Sequence, residues 1–199
     1  MSDQVAVNSD VEDLAQSVAD QVESFLLAVR EIASSGDPSR AVPLLLLEVS
    51  QLLLAGARLG VQIDFVPSEK YEPDAGPDPD LDRIREELAK LLDGFDDYTE
   101  VFDPYVDPPD LVPSRVSDDV TAIAGRVAHG LQHFRAGRVD EALWWWQFSY
   151  VSSWGAEASG VLRALQSVVS HDRLDTDVDR TAEMERVAIA EALAQQPED

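Results

Sequence analysis

The chain has 199 residues, 45% of them hydrophobic, and it carries 15 basic against 39 acidic side chains, for a formal net charge of −24. This length suits one domain with a sizeable core, and the hydrophobic fraction excludes a wholly disordered chain. The negative charge argues against direct binding to nucleic acids or anionic membranes, because both would repel the protein. The chain has no cysteine, which excludes disulfides and thiolate sites and fits a cytoplasmic protein.

The first helix is predicted after a disordered amino terminus at residues 1–9, which lacks the basic and apolar regions of a secretory signal. Ser9 and Glu12 have the spacing of a capping box. Apolar residues then recur at steps of three and four as far as Ile32. This pattern predicts an amphipathic helix that ends near Gly36.

The longest apolar run is residues 43–60, PLLLLEVSQLLLAGARLG. Its only charged side chains, Glu48 and Arg58, fall with Gln51 on one narrow stripe of a helix. Because leucines cover most of the remaining circumference, we expect this helix at the centre of the domain, starting or kinking at Pro43. The polar stripe argues against a transmembrane span.

Two acidic, proline-rich loops are predicted, at residues 61–80 and 103–116. Between them, a third helix begins near Asp78 and carries apolar residues at three- and four-residue steps as far as Leu91. Aromatic residues at positions 95, 98, 102 and 105 predict one or two further helical turns with their rings facing the core.

The carboxyl-terminal half is predicted to hold three more helices. Ser117 is expected to cap a fourth helix that ends at Gly137. A fifth runs from about Val139 to Ser153 and a sixth over residues 156–171, with a break at Gly155. Residues 172–199 are an acidic tail with at most one weak helix around residues 184–193. The chain is thus predicted to be an all-α, single-domain bundle of six or seven helices over residues 10–171.

Three consecutive tryptophans, at positions 144–146, stand on the predicted fifth helix. They span 200° of the helix and cannot all face one way. Trp145 falls on the polar side with Arg138 and Glu141. Either all three rings pack in the core or between helices, or Trp145 is exposed and anchors a partner together with Arg138 and Glu141.

Two other sets of polar residues are candidate sites. Glu48, Gln51 and Arg58 either form a thin solvent-facing edge or line a cleft for a small ligand with the acidic loops. His129 and His133 have the four-residue spacing of metal ligands, but no HExxH arrangement is present and a metal would need ligands from other elements. The sequence therefore favours a solvated face or packing beneath a loop, and it predicts no metal or other cofactor.

Two resemblances follow from these residues. Gly130, Phe134, Gly137, Ala142 and Trp146 resemble part of a tetratricopeptide-like helical hairpin, but only one such unit is present and a solenoid needs about three. More broadly, the segments 19–26, 43–60, 71–80, 100–105 and 129–155 are similar to a bacterial, mostly actinobacterial, family, number 5063 in the domain-of-unknown-function series. This resemblance implies a soluble bacterial protein and confers no activity.

The functional prediction rests on charge rather than on motifs. Nucleophile motifs, phosphate-binding glycine loops and dinucleotide fingerprints are absent, and no carboxylate pair stands out. The sequence favours, without deciding, a non-enzymatic protein-protein interaction module that binds a basic partner. One alternative is an acidic mimic of nucleic acid acting on a DNA-handling protein, which requires carboxylates in two rows. Another is a small-ligand binder or enzyme using a cleft near Glu48.

Overall fold

The computed structural model describes the backbone of residues 2–173 and the side chains of residues 10–173. This part of the chain forms five α-helices and one two-stranded sheet: α1 (Ser2–Ser35), α2 (Pro38–Gly60), α3 (Asp82–Leu91), β1 (Asp97–Val101), β2 (Leu111–Arg115), α4 (Val116–Arg135) and α5 (Val139–Ser149). The prediction of a mostly α-helical fold is confirmed, although the described helices number five rather than six or seven.

The helix count differs because the predicted fifth and sixth helices are one rod. Beyond Ser149 the backbone passes through a π-helical turn, Tyr150–Trp154, and continues as helix over residues 155–173. Gly155 does not break the rod, since its φ and ψ of −65° and −41° are helical. The weak helix predicted around residues 184–193 lies outside the described residues.

Helix α1 packs against most of the other helices of the fold. It begins at Ser2 instead of after residue 9, because residues 2–35 contain neither glycine nor proline to interrupt the backbone hydrogen bonds. It packs against α2, α3, α4 and α5. Its buried stripe consists of Ala15, Val18, Ala19, Val22, Phe25, Val29, Ile32 and Ala33. The centre of the domain is therefore formed by α1 together with α4 and not, as predicted, by the leucine-rich helix.

Helix α2 lies at the edge of the bundle with one face in the core. It begins at Pro38, where Asp37 caps it by accepting a hydrogen bond from the Ser39 amide at 3.1 Å, and it continues through Pro43. Leu47 and Leu54 are 50% and 66% exposed. By length and composition alone, α2 could cross a membrane. Its most apolar 18 residues have a mean hydropathy of 1.6, and 39% of that stretch is buried inside the domain. Its buried residues form part of the domain core: Ala41, Val42, Leu45, Val49, Leu52, Ala55, Gly56 and Leu59.

The prediction of helical turns over residues 95–105 is wrong, because this segment contains strand β1. β1 pairs antiparallel with β2, with Asp97 opposite Arg115 and Val101 opposite Leu111. Gly94, at a φ of 89°, ends the preceding turn and redirects the chain. The predicted loop 103–116 consequently contains a strand. The helix-like spacing of the aromatic residues is misleading, since only Tyr98 among them packs against the core and Phe95, Phe102 and Tyr105 are exposed.

Loop 61–80 has no regular structure but is bound to α5. The Gln147 side chain accepts a hydrogen bond from the Phe65 amide at 2.8 Å and donates to the Leu59 carbonyl at 3.0 Å. The Glu141 carboxylate accepts from the Ser68 amide at 3.1 Å. These buried side chains replace the backbone partners that the loop lacks, and they direct the rest of it across α4.

Candidate functional site

A cleft of about 740 Å³ opens between β1 and the helical residues 155–168. We call it the β1 cleft. Its walls are mainly apolar, with Phe95, Val101 and Phe102 on the strand side and Ala164 and Val168 on the helix side. Tyr98, Glu100 and Arg163 also line it. A concave apolar surface with a few polar groups is the usual form of a binding site.

Gly160 brings the two walls of the β1 cleft together. A Cβ atom at this position would lie 2.9 Å from both the Glu100 carboxyl carbon and the Tyr98 hydroxyl oxygen. Any other residue would therefore require the Glu100 carboxylate and the Tyr98 hydroxyl to move away from the helix. The absence of a side chain at Gly160 is what places these two polar groups at the helix surface.

Three carboxylates converge beside this cleft: Glu100, Asp119 and Glu157. The Tyr98 hydroxyl donates to Asp119 Oδ2 at 2.8 Å. Arg126 Nη1 donates to Glu157 Oε2 at 2.7 Å. We call Glu100, Asp119 and Glu157 the acidic cluster. Among the described residues, Arg126 is the cation that forms an ion pair with a member of the cluster, Glu157. The three carboxylates therefore carry more negative charge than this one arginine neutralises.

Burial raises the pKa of every member of the acidic cluster, and neighbouring carboxylates raise these pKa values further. Burial raises the pKa of Glu100, and the charges of Asp119 and Glu157 raise it further. Burial raises the pKa of Asp119 more than the Tyr98 hydrogen bond lowers it. Burial likewise outweighs the effect of Arg126 on the pKa of Glu157. Interacting carboxylates with raised pKa values are typical of functional sites. Binding of a proton or another cation stabilises such a group of carboxylates, because it reduces the repulsion between their negative charges.

A second constellation joins loop 61–80 to α4. Glu72 Oε1 lies 2.6 Å from His129 Nε2 and 3.1 Å from His133 Nε2. The three ligand-type atoms lie within 4.8 Å of one another. His133 is 1% exposed, whereas the Glu72 side chain is 42% exposed. We call Glu72, His129 and His133 the histidine cluster. The histidines pack beneath a loop, which is one of the alternatives favoured from the sequence, and that loop also supplies the third ligand-type group that a metal would need.

Further contacts orient the histidine rings. His129 Nδ1 lies 3.1 Å from Asp78 Oδ1, and the His129 ring packs at 4.3 Å from the Trp145 ring. Arg138 Nη1 lies 3.3 Å from His133 Nδ1 and also donates to the Asp74 carbonyl at 3.1 Å. Burial lowers the pKa of His129, but the hydrogen bonds and charges of Glu72 and Asp78 outweigh burial and raise it.

The predicted partner-binding residues lie together, but beneath loop 61–80. Trp145 is half-buried, and its Nε1 donates to the Arg126 carbonyl at 2.9 Å. Glu141 is buried and accepts a hydrogen bond from the Ser68 amide, and Arg138 donates to the Asp74 carbonyl. An exposed Trp145 anchor is therefore not observed. The packing interpretation holds for Trp146, which is fully buried.

The predicted ligand-cleft residues lie along α1. Gln51 Oε1 accepts from Gln21 Nε2 at 3.3 Å, and Arg58 Nη1 donates to Ser17 Oγ at 3.0 Å. Glu48 is half-buried, its Oε2 has no hydrogen-bond partner among the described residues, and burial raises its pKa. These three residues do not line the β1 cleft.

Sequence reasoning missed the acidic cluster and one of the three members of the histidine cluster, Glu72. Glu100, Asp119 and Glu157 come from β1, α4 and the helix of residues 155–173, and no local spacing relates them. Glu72 stands in a loop whose acidity was evident, but nothing in the sequence indicates which of its carboxylates turns towards the histidines.

Fold and sites together define a mostly α-helical domain with an acidic, apolar-walled cleft and a separate histidine cluster. The chain belongs to the family described as "Domain of unknown function (DUF5063)", whose profile matches residues 9–171. The crystal structure of protein BF1032 from Bacteroides fragilis is similar in fold, with a TM-score of 0.61 and 19% sequence identity, over 76% of this chain and 89% of that one. No curated protein matches the chain.

Proposed function

We propose that the protein is a non-enzymatic interaction module that binds a basic segment of a partner protein, and that a lysine or arginine side chain of the partner enters the β1 cleft. The observation that carries this proposal is the acidic cluster, in which three carboxylates lie beside a concave surface and, among the described residues, a guanidinium bonds only to Glu157. The family has no assigned activity, so the argument comes from the site itself.

The acidic cluster supports a cationic ligand because a positive charge would relieve its internal repulsion. The raised pKa of Glu100 reflects burial and the neighbouring charges of Asp119 and Glu157. A guanidinium or ammonium group near Glu100 would stabilise the ionised form of all three side chains. Arg163 on the opposite wall is exposed, so solvent screens its charge.

The apolar walls support a long basic side chain over a small inorganic cation. Lysine and arginine carry aliphatic stems that pack on apolar surface while the charged end reaches a polar group. Phe95 and Phe102 offer exposed aromatic rings at the strand side of the cleft, and arginine stacks readily on such rings. The net charge of −24 would also steer basic proteins towards the molecule.

The proposal can be tested by titrating isotope-labelled protein with short peptides that contain lysine or arginine, and with a glutamate-containing control peptide. We expect the amide signals of Gly94 and Gly160 to shift with the basic peptides and not with the control. Glu100→Gln should weaken binding about tenfold or more, because a charge-assisted hydrogen bond contributes about 1.5–3 kcal/mol. It should not destabilise the fold, since it removes repulsion.

The matched control is Glu31→Gln, which removes one exposed acid from α1. This variant should bind the basic peptides as tightly as the native protein does. Equal affinity of the Glu100 and Glu31 variants, with signal shifts spread over the whole acidic surface, would mean that the cleft has no part in binding.

A further inference from the structure

The histidine cluster has the composition of a transition-metal site. Two imidazole nitrogens and one carboxylate oxygen form a ligand set used by catalytic zinc centres, with further positions open to water or substrate. His129 and His133 are one turn apart on α4, so their rings leave the helix on the same side. Glu72 approaches from loop 61–80 and contacts both Nε2 atoms.

The two distances from Glu72 to the histidines are close to those that a metal requires, and all three ligand-type atoms lie within 4.8 Å of one another. Bonds of about 2.0–2.1 Å in a tetrahedral arrangement separate the ligand atoms by about 3.3–3.4 Å. Glu72 Oε1 lies 2.6 Å from His129 Nε2 and 3.1 Å from His133 Nε2. The carboxylate therefore has to withdraw by well under 1 Å, which its partly exposed position on a loop allows.

The residues around the cluster provide the support that metal-binding histidines usually have. Asp78 lies at His129 Nδ1, and a carboxylate there orients the ring and increases its basicity as a ligand. Trp145 packs on the same ring, and its own Nε1 is held by the Arg126 carbonyl. His133 is held by its almost complete burial.

We propose that Glu72, His129 and His133 bind one divalent transition-metal ion, of which Zn²⁺ is the natural probe, through Glu72 Oε1 and the two Nε2 atoms. Binding displaces the Nε2 proton of each ring: His129 keeps its proton at Nδ1, and the proton of His133 moves from Nε2 to Nδ1, so that both Nδ1 nitrogens are then protonated. Asp78 accepts the Nδ1 proton of His129. Arg138 has to turn away from His133 Nδ1, because two donors would otherwise face each other. The metal fastens loop 61–80 to α4. This proposal is independent of the β1 cleft.

The test is calorimetric titration of the full, untagged chain with Zn²⁺, in excess Mg²⁺ to occupy the exposed carboxylates. We expect one site per chain and a rise in melting temperature with Zn²⁺, since the metal binds the folded state. Co²⁺ in place of Zn²⁺ should give the visible absorption of a four-coordinate ion. Absence of a Mg²⁺-resistant site in the native protein would overturn the proposal.

Variants separate this site from the histidine pair alone. Glu72→Gln can still accept hydrogen bonds from the rings but is a poor metal ligand, and it should lose about tenfold or more in Zn²⁺ affinity while keeping the native melting temperature without metal. Glu69→Gln removes an exposed acid from the same loop and should bind like the native chain. Equal affinity of the Glu72 and Glu69 variants would contradict the assignment.

Discussion

At Gly130 and Gly160, the missing side chain is what allows another element to come close. The Trp146 indole rests against Gly130, and a Cβ atom there would overlap its pyrrole ring. Trp146 is fully buried and donates from Nε1 to the Val127 carbonyl at 2.9 Å. Gly160 plays the same part for Tyr98 and Glu100. Both glycines are in helices, so their value lies in space and not in an unusual backbone conformation.

Replacement of Gly130 by alanine should destabilise the protein. The new methyl group would displace the buried Trp146 ring, and such overpacking costs about 1–3 kcal/mol. The measurement is the free energy of unfolding in urea.

The matched control for this substitution is Gly125→Ala on the same helix. There the added Cβ would meet nothing closer than a Leu81 methyl group at 3.9 Å. Because alanine favours helix, this variant should gain up to about 1 kcal/mol. Changes of the same sign in both variants would mean that helix propensity, and not the contact with Trp146, governs the result.

At the scale of elements, loop 61–80 shows how polar side chains can order a segment that has no regular structure. Gln147 and Glu141 of α5 bind its first part through the Phe65 and Ser68 amides. The histidines of α4 bind its second part through Glu72 and Asp78. The loop is thereby held on two helices.

Gln147→Leu should release the first of these attachments. It leaves the Phe65 amide and the Leu59 carbonyl without their side-chain partner, at a cost of about 1–3 kcal/mol. Hydrogen exchange at the Phe65 amide should accelerate more than exchange within α5.

The control for the loop is Gln62→Leu. This exposed side chain bonds only to the Arg58 carbonyl of its own helix turn, so the free energy of unfolding should change by no more than about 0.5 kcal/mol. Unchanged exchange at Phe65 in the Gln147 variant would show that Gln147 does not hold the loop.

The helices with a strong apolar period could be predicted from the sequence, and the strands could not. The stripes of α1 and α4 repeat every three to four residues, and burial of those stripes is what packs them. β1 is short, and its aromatic neighbours happen to recur at helical spacing. Its strand conformation depends on pairing with β2, and the sequence does not indicate which distant residues provide that pairing.

The candidate sites are less predictable than the helices, for a related reason. The four-residue spacing of His129 and His133 is visible locally, whereas Glu72 reaches them from 57 and 61 residues away. The sequence groups Trp145 with Arg138 and Glu141 on one side of α5, but it does not indicate that loop 61–80 binds Glu141 and Arg138 on that side. Contacts between distant segments depend on the tertiary fold, which periodicity does not specify.

For the whole molecule, the net charge of −24 should make stability depend on salt. Self-repulsion among the carboxylates opposes the compact state, and salt screens it. The melting temperature should therefore rise as sodium chloride is increased from low to moderate concentration.

The matched control for the salt experiment is the double variant Glu12→Gln, Asp13→Asn, which removes two exposed acids from α1. It should melt higher than the native chain at low salt and respond less to added salt. A melting temperature that falls or stays constant with salt would show that ion pairs such as Arg126–Glu157 outweigh the repulsion.

The central position of α1 has a consequence for biosynthesis. Translation produces α1 before the helices that cover it, and two of these, α4 and α5, begin only at Val116 and Val139. In the nascent chain, α2 and α3 can therefore cover only part of the apolar stripe of α1, and completion of the core waits for α4 and α5.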